Sequence, residues 1–210
     1  MTLIIFDLDG TLARTNEDLA DSVNSVRVTR GLAPLPVQTV TGYLGCGVRN
    51  LMTRSMPELH TEEELEQAVQ EQIGFYSQCF TNKTRLYPGV KDTLEKLSAR
   101  HTSVVFTNKV MHQAQGLLEK LGIACCFKCI IGNAKGIPLK PSAEALQYAA
   151  KQAGCPLEGA WIVGDNWTDL LAGHNAGIHT CFCQFGFGDP QKMGADASIA
   201  SFELLTEVIK

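Results

Sequence analysis

The sequence predicts an α/β fold with a doubly wound parallel sheet, and three observations support this class. The chain begins with the apolar run Leu3 to Phe6, which is typical of a strand buried on both faces. Residues 14–85 then show helical patterns only. Downstream of this segment apolar strands alternate with helices, as they do in a parallel sheet covered on both faces. We therefore expect a Rossmann-like core, residues 1–13 and 86–210, that carries residues 14–85 as an inserted α-helical domain.

The elements of the core follow one another in regular order after the insertion. The predicted strands span residues 102–108, 126–133, 160–165 and 178–184, and the predicted helices span residues 87–101, 110–122, 141–154 and 167–177. Pro88 lies near the start of the first of these helices, where proline is favoured. Gly122 closes the second, because a residue with positive φ commonly ends a helix.

The insertion contains two helix signals and one glycine-rich segment. A helix with Asn16 as its N-cap is predicted over residues 16–30. A longer helix is predicted to begin at Thr61, because Thr61 and Glu64 have the spacing of a capping box. Between these helices lies the segment GYLGCGVRN, residues 42–50. The insertion is therefore expected to be all-helical.

Composition and charge narrow the classes to which the chain can belong. Of its 210 residues, 45% are hydrophobic and 19% are charged, as in a folded globular protein. The formal net charge of -4 provides no basic surface, so neither nucleic acid nor an anionic membrane is expected as a partner. No apolar run approaches the length of a membrane span or a signal peptide, and we expect a cytoplasmic protein.

The eight cysteines are expected to be reduced thiols in that compartment. Cys126 and Cys129 form a C-x-x-C pair, and Cys181 and Cys183 form a C-x-C pair that could in principle add two zinc ligands. The second pair lies in an apolar strand, however, and the glycine turns of a zinc knuckle are missing. The five histidines show no ligand spacing. We therefore expect cysteines and histidines to be ordinary core and surface residues.

Several polar residues lie at the ends of the predicted strands or at the start of a helix. They are Asp7 and Asp9 after the first strand, Thr107 and Asn108 after the second, Asp165 after the strand that begins near Trp161, Asp169 one helical turn later, and Lys140 before a helix. Because ligands of a parallel sheet bind beyond the carboxyl ends of its strands, we expect these side chains to lie together. Carboxylates bind Mg²⁺, and a lysine neutralises phosphoryl oxygens. The pattern therefore predicts a site for Mg²⁺ and a phosphoryl group.

Four short segments resemble those of a known family. They are DLDGT at residues 7–11, TNK at 107–109, LKPSAEAL at 139–146 and GDNWTD at 164–169. In this order and spacing they resemble the four motifs of the haloacid dehalogenase-like (HAD) hydrolase superfamily. The segment LYPGVKDTLEKL and the helical insertion after the first motif are most similar to its phosphoglycolate phosphatase-like branch, which carries a helical cap in this position.

The resemblance implies a role for each residue of the site. Asp7 is the expected nucleophile and would form an aspartyl-phosphate, and Asp9 is the expected general acid and then the general base. Thr107 and the backbone N–H of Asn108 are expected to bind phosphoryl oxygens. Lys140 is expected to neutralise both the nucleophile and the phosphate.

The resemblance also implies a metal site and a branch of the superfamily. The implied Mg²⁺ ligands are Asp7, the backbone carbonyl of Asp9, and Asp165, with Asp169 orienting water or Lys140. Gly10 belongs to the implied phosphate-binding set. Asp9 favours a phosphatase or a phosphomutase, because dehalogenases of the superfamily lack an acid at this position and its ATPases usually carry threonine.

Substrate choice is expected to lie in the cap, because a lid over the crevice contacts the leaving group. Within residues 42–50, Arg49 could meet an anionic substituent of the substrate. In the other interpretation Gly45 and Gly47 only form a turn and Arg49 lies in solvent. The sequence leaves both interpretations open.

We predict from these residues a Mg²⁺-dependent phosphatase of small phosphomonoesters, either a monomer or a homodimer. A sugar phosphomutase would keep the same core, and a catalytically silent phosphate-binding module would keep the same site. Phosphonate hydrolysis is less favoured, because it uses a lysine in the cap and Lys83, near the hinge, is the only one there. Departures from the usual branch motifs at residues 14–15, 132–134 and 142–143 leave the natural substrate open.

Overall fold

The computed structural model describes all 210 residues, which form eight strands and nine α-helices. The strands are β1 Leu3–Phe6, β2 Ala13–Arg14, β3 Arg85–Leu86, β4 Thr102–Val110, β5 Ile130–Asn133, β6 Trp161–Gly164, β7 His179–Cys183 and β8 Ala197–Ile199. The helices are α1 Asn16–Thr29, α2 Val37–Thr41, α3 Gly47–Ser55, α4 Glu62–Cys79, α5 Val90–Ser98, α6 Met111–Lys120, α7 Ala143–Ala153, α8 Trp167–Ala176 and α9 Leu205–Val208. No helix combines the length and the apolar composition that a bilayer crossing requires.

Six of the strands form one parallel sheet in the order β5-β4-β1-β6-β7-β8. β1 is the third strand in this order, between β4 and β6, and Phe6 faces Val105 on one side and Val163 on the other. The next strands along the chain, β4 and β5, lie on one side of β1, and the later strands β6, β7 and β8 lie on its other side. The strand order therefore reverses at β1. The carboxyl ends of β1, β4 and β6 therefore open onto one crevice.

Both faces of the sheet are buried, as the apolar strands predict. Ile4 and Phe6 pack on one face with residues of α5 and α6, whereas Leu3 and Ile5 pack on the other with residues of α7 and α8. The alternation follows from the two-residue period of a strand. The prediction of a doubly wound α/β core is confirmed.

The inserted segment contains four helices and a small ribbon that the sequence did not predict. Helices α1 to α4 enclose a separate apolar cluster that includes Val23, Met52 and Val69. At the two ends of the segment β2 and β3 pair in antiparallel fashion, with Arg14 opposite Arg85. The expectation of an all-helical insertion is thus wrong at its ends, where strands of two residues are too short to show a period.

Helix α4 belongs to two apolar clusters at once. Ala68 and Val69, in its first half, pack within the cluster of the insertion. Tyr76 lies in its last turn and Phe80 lies just after it. Both pack within the apolar cluster of the core. The capping box between Thr61 and Glu64 is present at its start, as predicted. This helix therefore anchors the insertion beside the crevice.

Several predicted boundaries differ from the structure for local reasons. The N-cap of α1 is Thr15, and Asn16 is the first helical residue, whose amide donates to Thr41. Helix α5 begins at Val90, because its N-cap Gly89 has a φ of 75° that lies outside the helical region. Strand β5 begins only at Ile130, and a 3₁₀ turn occupies residues 124–126 before it.

Candidate active site

A cavity lies at the carboxyl ends of β1, β4 and β6, where the strand order reverses. Residues of the core that line it include Asp7, Asp9, Thr107, Asn108, Lys109, Lys140 and Asp165. Residues of the insertion that line it include Leu19, Leu44, Gly45, Gly47, Val48, Leu51 and Gln72. The core thus supplies polar and charged groups, and the insertion supplies mainly apolar ones.

Lys140 lies between two carboxylates at the bottom of the cavity. Its ammonium is 2.6 Å from an oxygen of Asp7 and 2.6 Å from an oxygen of Asp169. Burial alone would lower the pKa of Lys140, but the charges of Asp169 and Asp7 raise it above its ordinary value. Asn108 holds the backbone of Lys140 through two hydrogen bonds of 3.0 Å, one to its N–H and one to its carbonyl. The lysine is therefore charged and fixed in place.

Asp7 is buried directly beyond β1. Burial raises its pKa to about 7, and the nearby charge of Asp169 adds to the shift, although Lys140 opposes it. A carboxylate in this position is poorly solvated, and a further cation beside it would stabilise its ionised form.

Asp165 follows β6 and is held by backbone donors. One of its oxygens accepts hydrogen bonds from the N–H groups of Phe187, at 3.0 Å, and Gly188, at 2.7 Å. Burial and the charges of Asp7 and Asp169 raise its pKa well above the ordinary value. Both the burial of Asp165 and its charged neighbours disfavour its ionised form. A cation beside it would therefore stabilise that form, as it would for Asp7.

Asp169 lies in the first turn of α8 and has two partners. One oxygen accepts a hydrogen bond from the N–H of Asn166 at 3.1 Å, which forms part of the capping box of this helix. The other accepts from Lys140. The sequence predicted that Asp169 would orient either water or this lysine, and in the structure it contacts the lysine.

Asp7, Asp165 and Asp169 each offer a carboxylate oxygen, and these three oxygens lie within 4.8 Å of one another. All three residues are buried, and oxygen donors are the ligands that Mg²⁺ prefers. The donor set and the raised pKa values of Asp7 and Asp165 therefore fit a divalent cation. The Asp9 carboxylate lies outside this group.

Asp9 instead forms an ion pair that the sequence did not reveal. The ammonium of Lys109 is 2.9 Å from one Asp9 oxygen and 3.1 Å from the other. In the sequence Lys109 is the last residue of the segment TNK and carries no predicted role. The two-residue period of a strand could not have indicated it, because the register of β4 is irregular between Phe106 and Val110.

Thr107 lines the cavity, whereas Gly10 lies beside it, against Asp165. The N–H of Gly10 donates to the carbonyl of Ala13 at 2.9 Å, so this donor is already used. A Cβ at Gly10 would lie 2.0 Å from an oxygen of Asp165, and the residue has a φ of 89°. The structure thus shows why a glycine is needed at this position, and the expected phosphate contact of Gly10 stays a prediction. Thr107 lines the cavity as expected.

Arg49 lies on α3, away from the cavity. Its guanidinium pairs with Glu66 at 3.1 Å and also with Glu62, and about half of its side chain is exposed. Gly45 and Gly47 do line the cavity, and the carbonyl of Gly45 accepts a hydrogen bond from Asn108. The structure therefore brings the glycines of this segment to the site but not its arginine.

A family model described as haloacid dehalogenase-like hydrolase matches residues 4–183. The chain therefore belongs to the haloacid dehalogenase-like hydrolase family. The phosphoglycolate phosphatase of Chromobacterium violaceum is 32% identical over 99% of this chain and 96% of its own length. That of Agrobacterium fabrum is 33% identical over 99% of this chain and 91% of its own length.

A solved structure from the same branch has the same fold over nearly its whole length. It is the crystal structure of a predicted phosphoglycolate phosphatase from Haemophilus somnus, with a TM-score of 0.93 and 28% identity over 100% of this chain and 98% of the other. Together with the relatives above, it places the chain in the phosphoglycolate phosphatase-like branch. The chain is a phosphatase of this hydrolase family.

Proposed function

We propose that this phosphatase depends on Mg²⁺ and transfers the phosphoryl group of a small phosphomonoester first to Asp7 and then to water. One observation carries the proposal: Lys140 joins Asp7 to Asp169 at the carboxyl ends of the strands, beside the third carboxylate, Asp165. This arrangement combines a nucleophile, a fixed cation and a cation-binding set of oxygens.

In the first step an oxygen of Asp7 forms a bond to phosphorus while the bond to the leaving oxygen breaks. Asp9 donates a proton to that leaving oxygen, so an alcohol departs. In the second step a water molecule gives a proton to Asp9 and attacks the phosphorus, and the bond to Asp7 breaks. Inorganic phosphate leaves, and both aspartates return to their starting states.

The other core residues act on the charge of the phosphoryl group. Lys140, the hydroxyl of Thr107 and the backbone N–H of Asn108 are the proposed contacts of the phosphoryl oxygens. Asp7, Asp165 and the backbone carbonyl of Asp9 would hold Mg²⁺, with Asp169 beside them. When bound, Mg²⁺ would offset the negative charge that gathers on these oxygens.

The inserted segment is proposed to act as the cap. In this proposal residues 14–85 form the cap domain, and residues 1–13 and 86–210 form the catalytic core. The proposal is supported by Leu44, Val48 and Leu51, which belong to the insertion and line the same cavity as Asp7. Because the relatives named above are phosphoglycolate phosphatases, 2-phosphoglycolate is the first candidate substrate.

The test is release of inorganic phosphate from 2-phosphoglycolate and several hexose phosphates, with and without Mg²⁺. We expect metal-dependent release by the wild type and a loss of at least about 10³-fold in Asp7→Asn. Asp92→Asn, which changes an exposed aspartate of α5, is the matched control and should keep full activity. Isolation of phosphorylated wild type, absent from Asp7→Asn, would identify the nucleophile directly.

The alternatives give different results in the same assay. A sugar phosphomutase would release little phosphate from its hexose phosphate and would return an isomer instead. A silent binding module would bind a phosphate analogue in a Mg²⁺-dependent manner without any turnover. Full activity in Asp7→Asn would contradict the proposed mechanism.

A further inference from the structure

Lys109 is the charged residue of the cavity for which the proposed mechanism has no role. The other charged side chains that line the cavity are Asp7, Asp9, Asp165 and Lys140, and each has a step or a ligand assigned to it. The Lys109 side chain is only 3% exposed. A buried ammonium is costly unless it is paired, so its partners indicate its role.

The ammonium of Lys109 is enclosed by two groups. It donates to both oxygens of Asp9, at 2.9 and 3.1 Å. It also lies 4.2 Å from the centre of the Tyr76 ring, at the distance of a cation–π contact. Tyr76 belongs to α4 and is itself fully buried. The ammonium therefore has little freedom to turn toward a substrate.

Asp9, in contrast, has no other hydrogen bond to its carboxylate, which is 18% exposed. It lies on the turn after β1, with Lys109 on the neighbouring strand β4. Two contacts from one ammonium fix the position of the carboxylate. Without Lys109 the carboxylate could rotate among several staggered positions.

We propose that Lys109 is a positioning residue that holds the side chain of Asp9 in place for proton transfer to the leaving group. When one Asp9 oxygen carries the proton, the ammonium of Lys109 donates to the other oxygen. The inference rests on the proposed role of Asp9 in the function above. Lys109 lies two residues after Thr107 on the same strand, so β4 would set both a phosphoryl contact and the orientation of the acid. Because Tyr76 belongs to α4 and contacts the ammonium of Lys109, the position of α4 would affect the position of the Lys109–Asp9 pair.

The test compares leaving groups that need a proton with one that does not. Departure of p-nitrophenolate requires no general acid, whereas 2-hydroxyethyl phosphate and 2-phosphoglycolate release alkoxides that do. In Lys109→Met we expect kcat/KM to fall about 10²-fold for both alkyl substrates but less than about threefold for p-nitrophenyl phosphate. Lys109→Arg should recover part of the loss, because a guanidinium can also donate to both oxygens.

Controls separate positioning from folding. Lys120→Met removes an exposed lysine that also contacts an aromatic ring, that of Phe80, and should leave all three substrates unaffected. In an Asp9→Asn background, Lys109→Met should cause no further loss on the alkyl substrates, because the group it orients can no longer transfer a proton. This double variant also removes the unpaired carboxylate that could unfold the single variant.

Each other outcome overturns the inference in a recognisable way. An equal loss on aryl and alkyl substrates would mean that Lys109 supports the fold or the phosphoryl group. A loss confined to 2-phosphoglycolate, with 2-hydroxyethyl phosphate unchanged, would make Lys109 a contact of the substrate carboxylate. Additive losses in the double variant would exclude action through Asp9. A wild type inactive on every phosphomonoester would instead reject the proposed function itself.

Discussion

The two sides of the cavity differ in how their polar groups are held. On the core side, Asp7, Lys140 and Asp169 are buried and linked by contacts of 2.6 Å. On the insertion side, Leu44, Val48 and other apolar residues face the cavity, and they make no such network. From this difference we expect the core to set the chemistry and the insertion to select among leaving groups.

The largest expected effect concerns the cation of the core side. Lys140→Met should lower kcat at least about 10²-fold, because the variant loses the fixed charge next to the transferred phosphoryl group. Lys151→Met, on the exposed side of α7, is the matched control. Steady-state phosphate release checks both. Near-normal kcat in Lys140→Met would show that the core network is structural only.

A second prediction concerns pH and the metal. Because burial raises the pKa of Asp7 to about 7, Mg²⁺ must displace a proton from it below that pH. The apparent affinity for Mg²⁺ should therefore rise at least about tenfold between pH 6 and pH 8, because the pKa of Asp165, the other carboxylate proposed as a ligand, is also raised. Titration calorimetry in two buffers of different ionisation enthalpy would measure both the affinity and the proton release. A constant affinity would place the metal away from Asp7.

A smaller effect is expected on the insertion side. Val48→Ala removes two methyl groups from the wall of the cavity and should change kcat/KM by roughly twofold to tenfold, differently for different leaving groups. Inhibition by inorganic phosphate should stay within about twofold, because all the proposed phosphate contacts lie on the core side. A uniform change across all substrates and phosphate would mean that the two sides are not separable.

The smallest effect is expected at Arg49. Arg49→Gln removes exposed ion pairs with Glu62 and Glu66, which contribute at most about 1 kcal/mol. Activity on every substrate should stay within about twofold of the wild type. A selective rise in KM for 2-phosphoglycolate would instead show that Arg49 reaches the site when substrate is bound.

The sequence by itself determined the position of the site. Asp7, Thr107 and Asp165 could be grouped without coordinates, because parallel strands end at one edge of a sheet. Asp7 and Asp165 directly follow β1 and β6, and Thr107 lies in the second half of β4. The capping box at Thr61 was equally readable, because its residues are three positions apart. The capping box depends on residues close together in the sequence, and the grouping of the strand ends depends on the general geometry of a parallel sheet.

Only the tertiary structure decided which partner each side chain takes. Lys109 pairs with Asp9 across 100 positions of the chain, and Arg49 turns to two glutamates instead of the cavity. Gly10 uses its N–H within its own turn. Such choices depend on competition among several possible partners, and burial and distance in the folded chain settle that competition.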